Sequence, residues 1–192
     1  DAVTLGHRFD TLQRAGAMLV EKYRGRGDET ERLKRQRILR WALLQHYEVC
    51  ATPLLDVTHS LRIAASFASE SASPQAFLFV LGVPNLSGAI TASAESGVQT
   101  VRLASVCPPT ALRPHIQEGY LLGEYPEVAE YSQKQNYAHY EIDFGRRLIA
   151  KFQFDPKSFW RDKGFPRIVR GSLYPDTNDP LCALADSIRE AL

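Results

Sequence analysis

Cysteine is scarce in this sequence, and its spacing excludes two kinds of site. The 192 residues contain three cysteines, Cys50, Cys107 and Cys182, which lie far apart and form no CxxC pair. An odd, widely spaced set excludes a disulfide framework, and the histidine and cysteine spacings fit no metal site. We therefore expect reduced thiols, a cytoplasmic protein and no bound metal.

Long apolar runs and a strong net charge are also missing. No run approaches the roughly 18 apolar residues that a membrane-spanning helix needs, so no membrane partner is predicted. The net charge of +1 supplies no global attraction for nucleic acid or anionic lipid. A local basic run at residues 32–40 has two interpretations: a helix face that docks on phosphates, or a solvated face balanced by Glu29 and Glu31.

The residues that are present indicate one ordinary soluble domain spanning residues 1–192. Apolar residues make up 44% of the chain and charged residues 23%, which is typical of a protein with a proper core. There is no internal repeat and no low-complexity linker. Because the chain begins with Asp1 and not with Met, we expect a trimmed amino terminus or a fragment.

The spacing of apolar residues predicts a mixed α/β fold. Helical periodicity predicts helices at residues 8–23, 28–47 and 60–71. The third has Ser60 as its cap, and its inward face is predicted to comprise Ile63, Ala64, Phe67 and Ala68.

A continuous apolar run at 77–83 predicts a strand buried on both faces. Further strands are expected at 52–58, 90–93, 98–106, 119–123 and 148–154. A short helix is expected at 156–161, and Asp179 and Pro180 begin a final helix. The polar stretch 124–140 gives no clear assignment.

Three ordered segments carry a family resemblance. Residues 45–60 read QHYEVCATPLLDVTHS, and the helix that follows ends in Ser66-Phe67-Ala68. This segment resembles the QHYG, PT, LLDWT and SP series of the FRG domain family, which is followed by a helix ending in FA. Residues 113–121 and 172–176 are similar to its R-QxGxF and LFPD elements. Glu48 stands where the family has Gly, and Val57 where it has Trp.

Tyr23-Arg24-Gly25 matches the (F/Y)RG letters for which that family is named. The resemblance would make Arg24 a cofactor-binding residue. The alternative is a solvated arginine at a helix end. The family's motif is expected on a first strand, so either this member is shortened or the true motif and its strand precede Asp1.

The resemblance implies an ADP-ribosyltransferase-like fold, with a split central sheet, flanking helices and NAD in a cleft between the sheets. It implies transfer of ADP-ribose from NAD to a protein or nucleic-acid target by a bacterial toxin or phage-defence effector, with an antitoxin as a candidate partner. The alternative is a non-catalytic recognition module that binds nucleotide, nucleic acid or a protein partner.

The candidate NAD site centres on the end of the strand at 52–58. Alternation places Asp56 and Thr58 on one side of that strand, and with Ser60 they open onto a helix start, where hydroxyls and N–H groups suit an anion or a ribose. The alternative is that Thr58 or Ser60 only caps the helix, with Asp56 accepting their hydrogen bonds. The resemblance adds His46, Tyr47 and Thr52 to the expected cofactor-binding residues.

Gln117 and Glu118 are the other candidate catalytic residues beside Asp56. If both lie on a strand, they point to opposite faces, so only one can face the cleft. The family pattern favours Gln117, which carries no charge to stabilise an oxocarbenium ion. Glu118 carries the negative charge that could stabilise this ion. Its alternative interpretation is an exposed carboxylate without a catalytic role.

Overall fold

The computed structural model describes residues 2–25, 28–71, 74–128, 130, 132–133, 144–175 and 179–192. The amino-terminal part is helical. Helix α1 (Ala2–Lys22) buries Phe9, Leu12 and Leu19, which recur every three or four residues and form one apolar stripe. This stripe packs against α3 (Arg37–His46) and against the last helix, α10 (Pro180–Arg189).

The single helix predicted at 28–47 is in fact two helices, so that prediction was wrong. Helix α2 (Glu29–Arg35) ends at Gln36, whose backbone is extended with φ −107° and ψ 100°, before α3 begins. The guanidinium of Arg40 donates to the carbonyls of Leu33 at 2.8 Å and Lys34 at 2.7 Å. These side-chain bonds satisfy carbonyls at the end of α2, which a helix end otherwise leaves open.

A four-stranded antiparallel sheet forms the larger β layer, in the order β1-β5-β4-β3. Its strands are β1 (Leu55–Thr58), β3 (Ile90–Ser93), β4 (Val98–Arg102) and β5 (Gly119–Glu124). Strand β1 pairs with β5 so that Asp56 lies opposite Leu121 and Thr58 opposite Gly119. The strand predicted at 98–106 ends at Arg102, because the chain turns into a short helix, α5 (Leu103–Val106).

Two antiparallel strands, β2 (Ala76–Leu81) and β6 (Leu148–Phe154), form a separate sheet. The prediction that its first strand is buried on both faces was wrong. Phe79 is 59% exposed and Phe152 on the partner strand is 56% exposed. Phe152 lies opposite Leu78 and Phe79 lies opposite Lys151, so the two exposed rings are on opposite faces and neither face of this sheet is closed.

Helix α4 (Leu61–Ala68) joins the two sheets, since it contacts both β1 and β2. It ends three residues before the predicted end. The remaining helices are short: α6 (Leu112–Ile116), α7 (Phe144–Arg147), α8 (Pro156–Phe159) and α9 (Arg170–Leu173).

The cap of α10 is confirmed, because the carboxylate of Asp179 accepts from the N–H of Leu181 at 3.0 Å. The mixed α/β class, with two separate sheets and flanking helices, is therefore confirmed. Within the described ranges, no helix is both long enough and apolar enough to cross a membrane.

Candidate functional site

A cleft of about 930 Å³ lies between β1 of the four-stranded sheet and the face of the β2–β6 sheet. Ligand sites are usually concave spaces of about 300–1,000 Å³, so this cleft is at the upper end of that range. The polar side chains that line it are Gln45, His46, Glu48, Asp56, Thr58 and Gln117. Its aromatic lining comes from Phe67, Phe77, Phe79 and Tyr174.

Asp56 is held in place at the cleft by a short series of side chains. The amide of Gln45 donates to Oδ2 of Asp56 at 2.9 Å, and Thr52 Oγ1 donates to Oε1 of Gln45 at 2.9 Å. Nδ1 of His46 lies 3.7 Å from Oδ1 of Asp56. Because the Asp56 side chain is still 50% exposed, its carboxylate is both oriented and accessible. Sequence reasoning missed Gln45, although the residue stands in the segment that carries the family resemblance.

The His46 ring forms part of the cleft lining beside this carboxylate, and its side chain is only 3% exposed. Its Nε2 has no hydrogen-bond partner among the described residues. A Cβ added at Gly119 would lie 3.3 Å from Cε1 of His46 and 3.0 Å from Leu103 Cδ1. The glycine therefore lets the first residue of β5 approach the imidazole, which leaves His46 tightly placed with one unpaired polar atom.

The capping half of the alternative for Thr58 and Ser60 is confirmed, but the expected bonds to Asp56 are wrong, because Asp56 accepts from Gln45 and Thr58 donates elsewhere. Thr58 Oγ1 donates to the carbonyl of Gln117 at 3.0 Å and accepts from the N–H of Ser60 at 3.1 Å. Ser60 Oγ accepts from the N–H of Ile63 at 3.4 Å, which caps α4. Thr58 still lines the cleft, whereas Ser60 lies beside an adjoining hollow.

Gln117 and Glu118 are not on a strand, so the expectation that they alternate across β5 was wrong. Gln117 ends α6 with helical backbone angles, and Glu118 follows with φ 46°. The Gln117 amide lines the cleft and donates to the carbonyl of Leu173 at 2.8 Å. Glu118 is exposed and is not part of the cleft lining. A catalytic role for either residue stays a prediction.

Tyr47 belongs to a buried network behind the cleft. Its hydroxyl donates to Oδ2 of Asp179 at 2.8 Å, and the same oxygen accepts from the backbone N–H of Arg113 at 3.0 Å. The Arg113 guanidinium donates to the carbonyl of His46 at 3.0 Å and lies over the rings of Tyr47 and Tyr174. Burial, followed by the negative charge of Asp179, raises the pKa of Tyr47 above its usual value. This network connects the ends of α3, α6 and α10, and sequence reasoning missed it.

Residues 6–76 match the family model of the FRG domain. The match supports the FRG family for this chain. It includes Tyr23-Arg24-Gly25 and the whole segment 45–60, which contributes Gln45, His46, Asp56 and Thr58 to the cleft. The later elements at 113–121 and 172–176 lie outside the matched residues, and Asp176 is outside the described residues. No curated protein and no solved structure matches the chain.

Within the FRG match, Arg24 lies away from the cleft. Its guanidinium donates to the carbonyls of Glu21 at 2.5 Å and Tyr23 at 3.1 Å, which are at the carboxyl end of α1. It borders a different hollow that also includes Pro108 and Leu184. Thr52 likewise contacts Gln45 and does not line the cleft. The structure thus brings His46, Asp56, Thr58 and Gln117 together, and leaves Arg24, Tyr47, Thr52, Ser60 and Glu118 outside the lining.

Glu48, the departure from the FRG pattern, lines the cleft although sequence reasoning did not select it. Its φ is 56°, in the left-handed region that favours glycine. The Glu48 charge also acts on the aromatic wall: burial first, and then this carboxylate, raise the pKa of Tyr174. The described cleft therefore contains two carboxylates, Glu48 and Asp56. No Lys or Arg is among its lining residues in the described parts of the chain.

The basic run on α2 and α3 is largely occupied by contacts within the protein. Lys34 pairs with Glu31 at 2.8 Å, Arg37 lies 3.8 Å from Glu127, and Arg40 binds the carbonyls at the end of α2. These contacts favour the interpretation of a balanced helix face. Over the described residues, no group of three or more His, Cys, Asp or Glu side chains is placed to hold a metal ion.

Proposed function

We propose that the cleft binds NAD and that the domain transfers ADP-ribose from NAD to a macromolecular target, as an ADP-ribosyltransferase-like FRG protein. The observation that carries the proposal is the carboxylate of Asp56, which is held by Gln45 and stays half-exposed in the cleft. When nicotinamide leaves, positive charge develops on the ribose. A pre-oriented carboxylate stabilises that charge more than a mobile one, because it needs no reorganisation during the reaction.

The charge of the lining suggests how NAD lies. Lys151 Nζ lies over the rings of Phe77 and Phe79, 4.6 and 5.4 Å from their centroids, so each ring offers the nicotinamide its other face. Asp56 and Glu48 give the described lining a negative character. The nicotinamide riboside end of NAD is cationic, whereas the diphosphate is anionic. We therefore expect the riboside end beside Asp56, with the diphosphate directed away from the two carboxylates.

The proposed biological setting rests on the FRG resemblance and not on the geometry. We propose that the target is a bacterial protein or nucleic acid, modified in the cytoplasm by a toxin or phage-defence effector. An antitoxin that covers the cleft would fit this setting.

Nicotinamide release from NAD by the purified chain tests the proposal. Asp56→Asn keeps the shape of the side chain and removes its charge, so we expect the release rate to fall by about 100-fold or more. Asp10→Asn is the matched control, because Asp10 is an exposed carboxylate on α1 outside the cleft. An Asp56→Asn rate equal to that of wild type would contradict the role of Asp56. Absence of release by the wild-type chain would contradict the transferase.

A non-catalytic recognition module is the second candidate. Two observations favour it: the amide of Gln117 is already bonded to Leu173, and the described lining pairs two carboxylates with aromatic rings but has no Lys or Arg. The two carboxylates suit a cationic partner better than a nucleic acid, although Lys151 already lies over Phe77 and Phe79. A rise in melting temperature with NAD, or with a basic peptide, in the absence of nicotinamide release would favour this module.

A further inference from the structure

Glu48 occupies the position of a helix end that is normally reserved for glycine. The N–H of Glu48 donates to the carbonyl of Gln45 at 2.9 Å, and the N–H of Val49 donates to that of Leu44 at 2.9 Å. These two bonds define a Schellman motif, which requires a left-handed residue directly after the cap. At φ 56° the Cβ of Glu48 crowds the following carbonyl, so a glycine would fit with less strain.

The surrounding structure holds Glu48 in this conformation. Val49 and Leu44, the residues at the two ends of the longer bond, are both in the hydrophobic core. Arg189 of α10 donates to the carbonyl of Glu48 at 3.2 Å and to that of Tyr47 at 2.8 Å. Strain that neighbouring structure maintains at the wall of a cleft is an indication of function.

The carboxylate of Glu48 differs from that of Asp56 because no described side chain binds it. It is exposed, it lines the cleft, and it has no hydrogen bond or ion pair with any described residue. Asp56 instead accepts a bond from Gln45 on Oδ2 and faces His46 with Oδ1. Asp56 is thus suited to stabilise charge without moving, and Glu48 is suited to accept a proton.

We propose that Glu48 is the general base of the cleft, an inference that rests on the proposed NAD chemistry. The bond between ribose C1′ and the nicotinamide nitrogen breaks, and its electron pair stays on that nitrogen. The acceptor's oxygen or nitrogen forms a new bond to C1′, and the proton it loses passes to the Glu48 carboxylate. Water serves as the acceptor when no macromolecular target is present, so NAD hydrolysis reports on the same step.

The chain contains its own control for the backbone strain at Glu48. Glu118 is also exposed, also follows a helix cap and also has a positive φ, but it does not line the cleft. Replacing either glutamate with glycine relieves the same kind of strain. Only the substitution at Glu48 removes a carboxylate from the site.

The experiment measures nicotinamide release from NAD alone for wild type, Glu48→Gly, Glu48→Gln and Asp10→Asn. It measures melting temperature for the same proteins and for Glu118→Gly. Both glycine variants are expected to melt about 1–4 °C higher than wild type. Glu48→Gly is expected to release nicotinamide about 100-fold more slowly, because general bases typically contribute at least that factor. Glu48→Gln should show the same loss of rate with little change in melting temperature, and Asp10→Asn, at an exposed position of α1 outside the cleft, should keep the wild-type rate.

The outcomes separate this inference from the function on which it rests. An active wild type with an equally active Glu48→Gly variant would overturn the role of Glu48 and leave the NAD chemistry standing. A lower melting temperature for Glu48→Gly would also overturn it, because the glutamate would then serve stability. A wild type that releases no nicotinamide would contradict both the proposed NAD chemistry and the role of Glu48.

Discussion

At the scale of single residues, Asp179 is the carboxylate on which the back of the cleft depends. It is 3% exposed and accepts hydrogen bonds from the N–H of Leu181, the N–H of Arg113 and the hydroxyl of Tyr47. The first bond caps α10, and the other two join α6 and α3 to it. One side chain thus fixes three elements around the carbonyl end of α3, where His46 enters the cleft.

Asp179→Ala is expected to lower the free energy of unfolding by about 3 kcal/mol, because it removes a cap and leaves two buried donors without their partner. Urea denaturation measures this change. Asp155→Ala is the matched control, because Asp155 also caps a helix and also precedes a proline, but it is exposed and serves α8 alone. If both variants lost the same free energy of unfolding, the buried network would add no stability, and Asp179 would act only as a helix cap.

The residues that could be predicted from the sequence are those with a local signal. The cap Asp179, the cap Ser60 and the pair Asp56 and Thr58 are visible from spacing and strand alternation. Arg113 could not be predicted, because its partner is the carbonyl of His46, 67 positions away in the sequence. Glu48 did carry a signal, since a family glycine marks a left-handed turn. The sequence alone could not tell that the substituted side chain faces a cleft.

At the scale of elements, α4 shows where a periodic pattern gives the wrong face. The predicted inward face was Ile63, Ala64, Phe67 and Ala68. The structure buries Ile63, Ala65, Ser66 and Ser69, while Ala64 and Phe67 line the cleft. A hydrophobic pattern places serine on the outer face, but these two buried hydroxyls have hydrogen-bond partners. Ser66 accepts from the N–H of Ile168, and Ser69 accepts from Nε1 of Trp160, each at 3.0 Å.

These bonds predict that Ser66→Ala destabilises the protein although it adds no bulk. The hydroxyl of Ser66 is fully buried, so its loss leaves the N–H of Ile168 without a partner at the contact between α4 and the 160–168 segment. We expect a loss of about 1 kcal/mol in the free energy of unfolding, measured by urea denaturation. Ser71→Ala, at an exposed position after α4, should change stability little. A neutral Ser66→Ala would mean that water satisfies the amide.

At the scale of the whole molecule, the division into two sheets explains why some strands were predicted correctly and their surroundings were not. The run at 77–83 was expected to be a strand buried on both faces, because a continuous apolar sequence is typical of one. In the structure the same residues form one wall of a cleft, which needs apolar side chains for a different reason. A single sequence does not distinguish the two, since the difference depends on where the other sheet lies.

The same division predicts that the two sheets open independently. Strand β5 is hydrogen-bonded on both sides and its Leu121 is fully buried, whereas β2 and β6 pair only with each other and expose Phe79 and Phe152. Sheets of two strands have marginal stability, so amides in β2 and β6 should exchange hydrogen more than ~10-fold faster than those at the centre of β5.

Hydrogen–deuterium exchange with and without NAD measures this and extends it to the ligand. Because Phe77 and Phe79 line the cleft, a bound ligand should slow exchange in β2 and β6 and leave β4 nearly unchanged. Uniform protection of both sheets without ligand would show that they open as one unit. Slowing confined to the four-stranded sheet would place the ligand away from the aromatic wall, and would contradict the orientation in which the nicotinamide lies against β2.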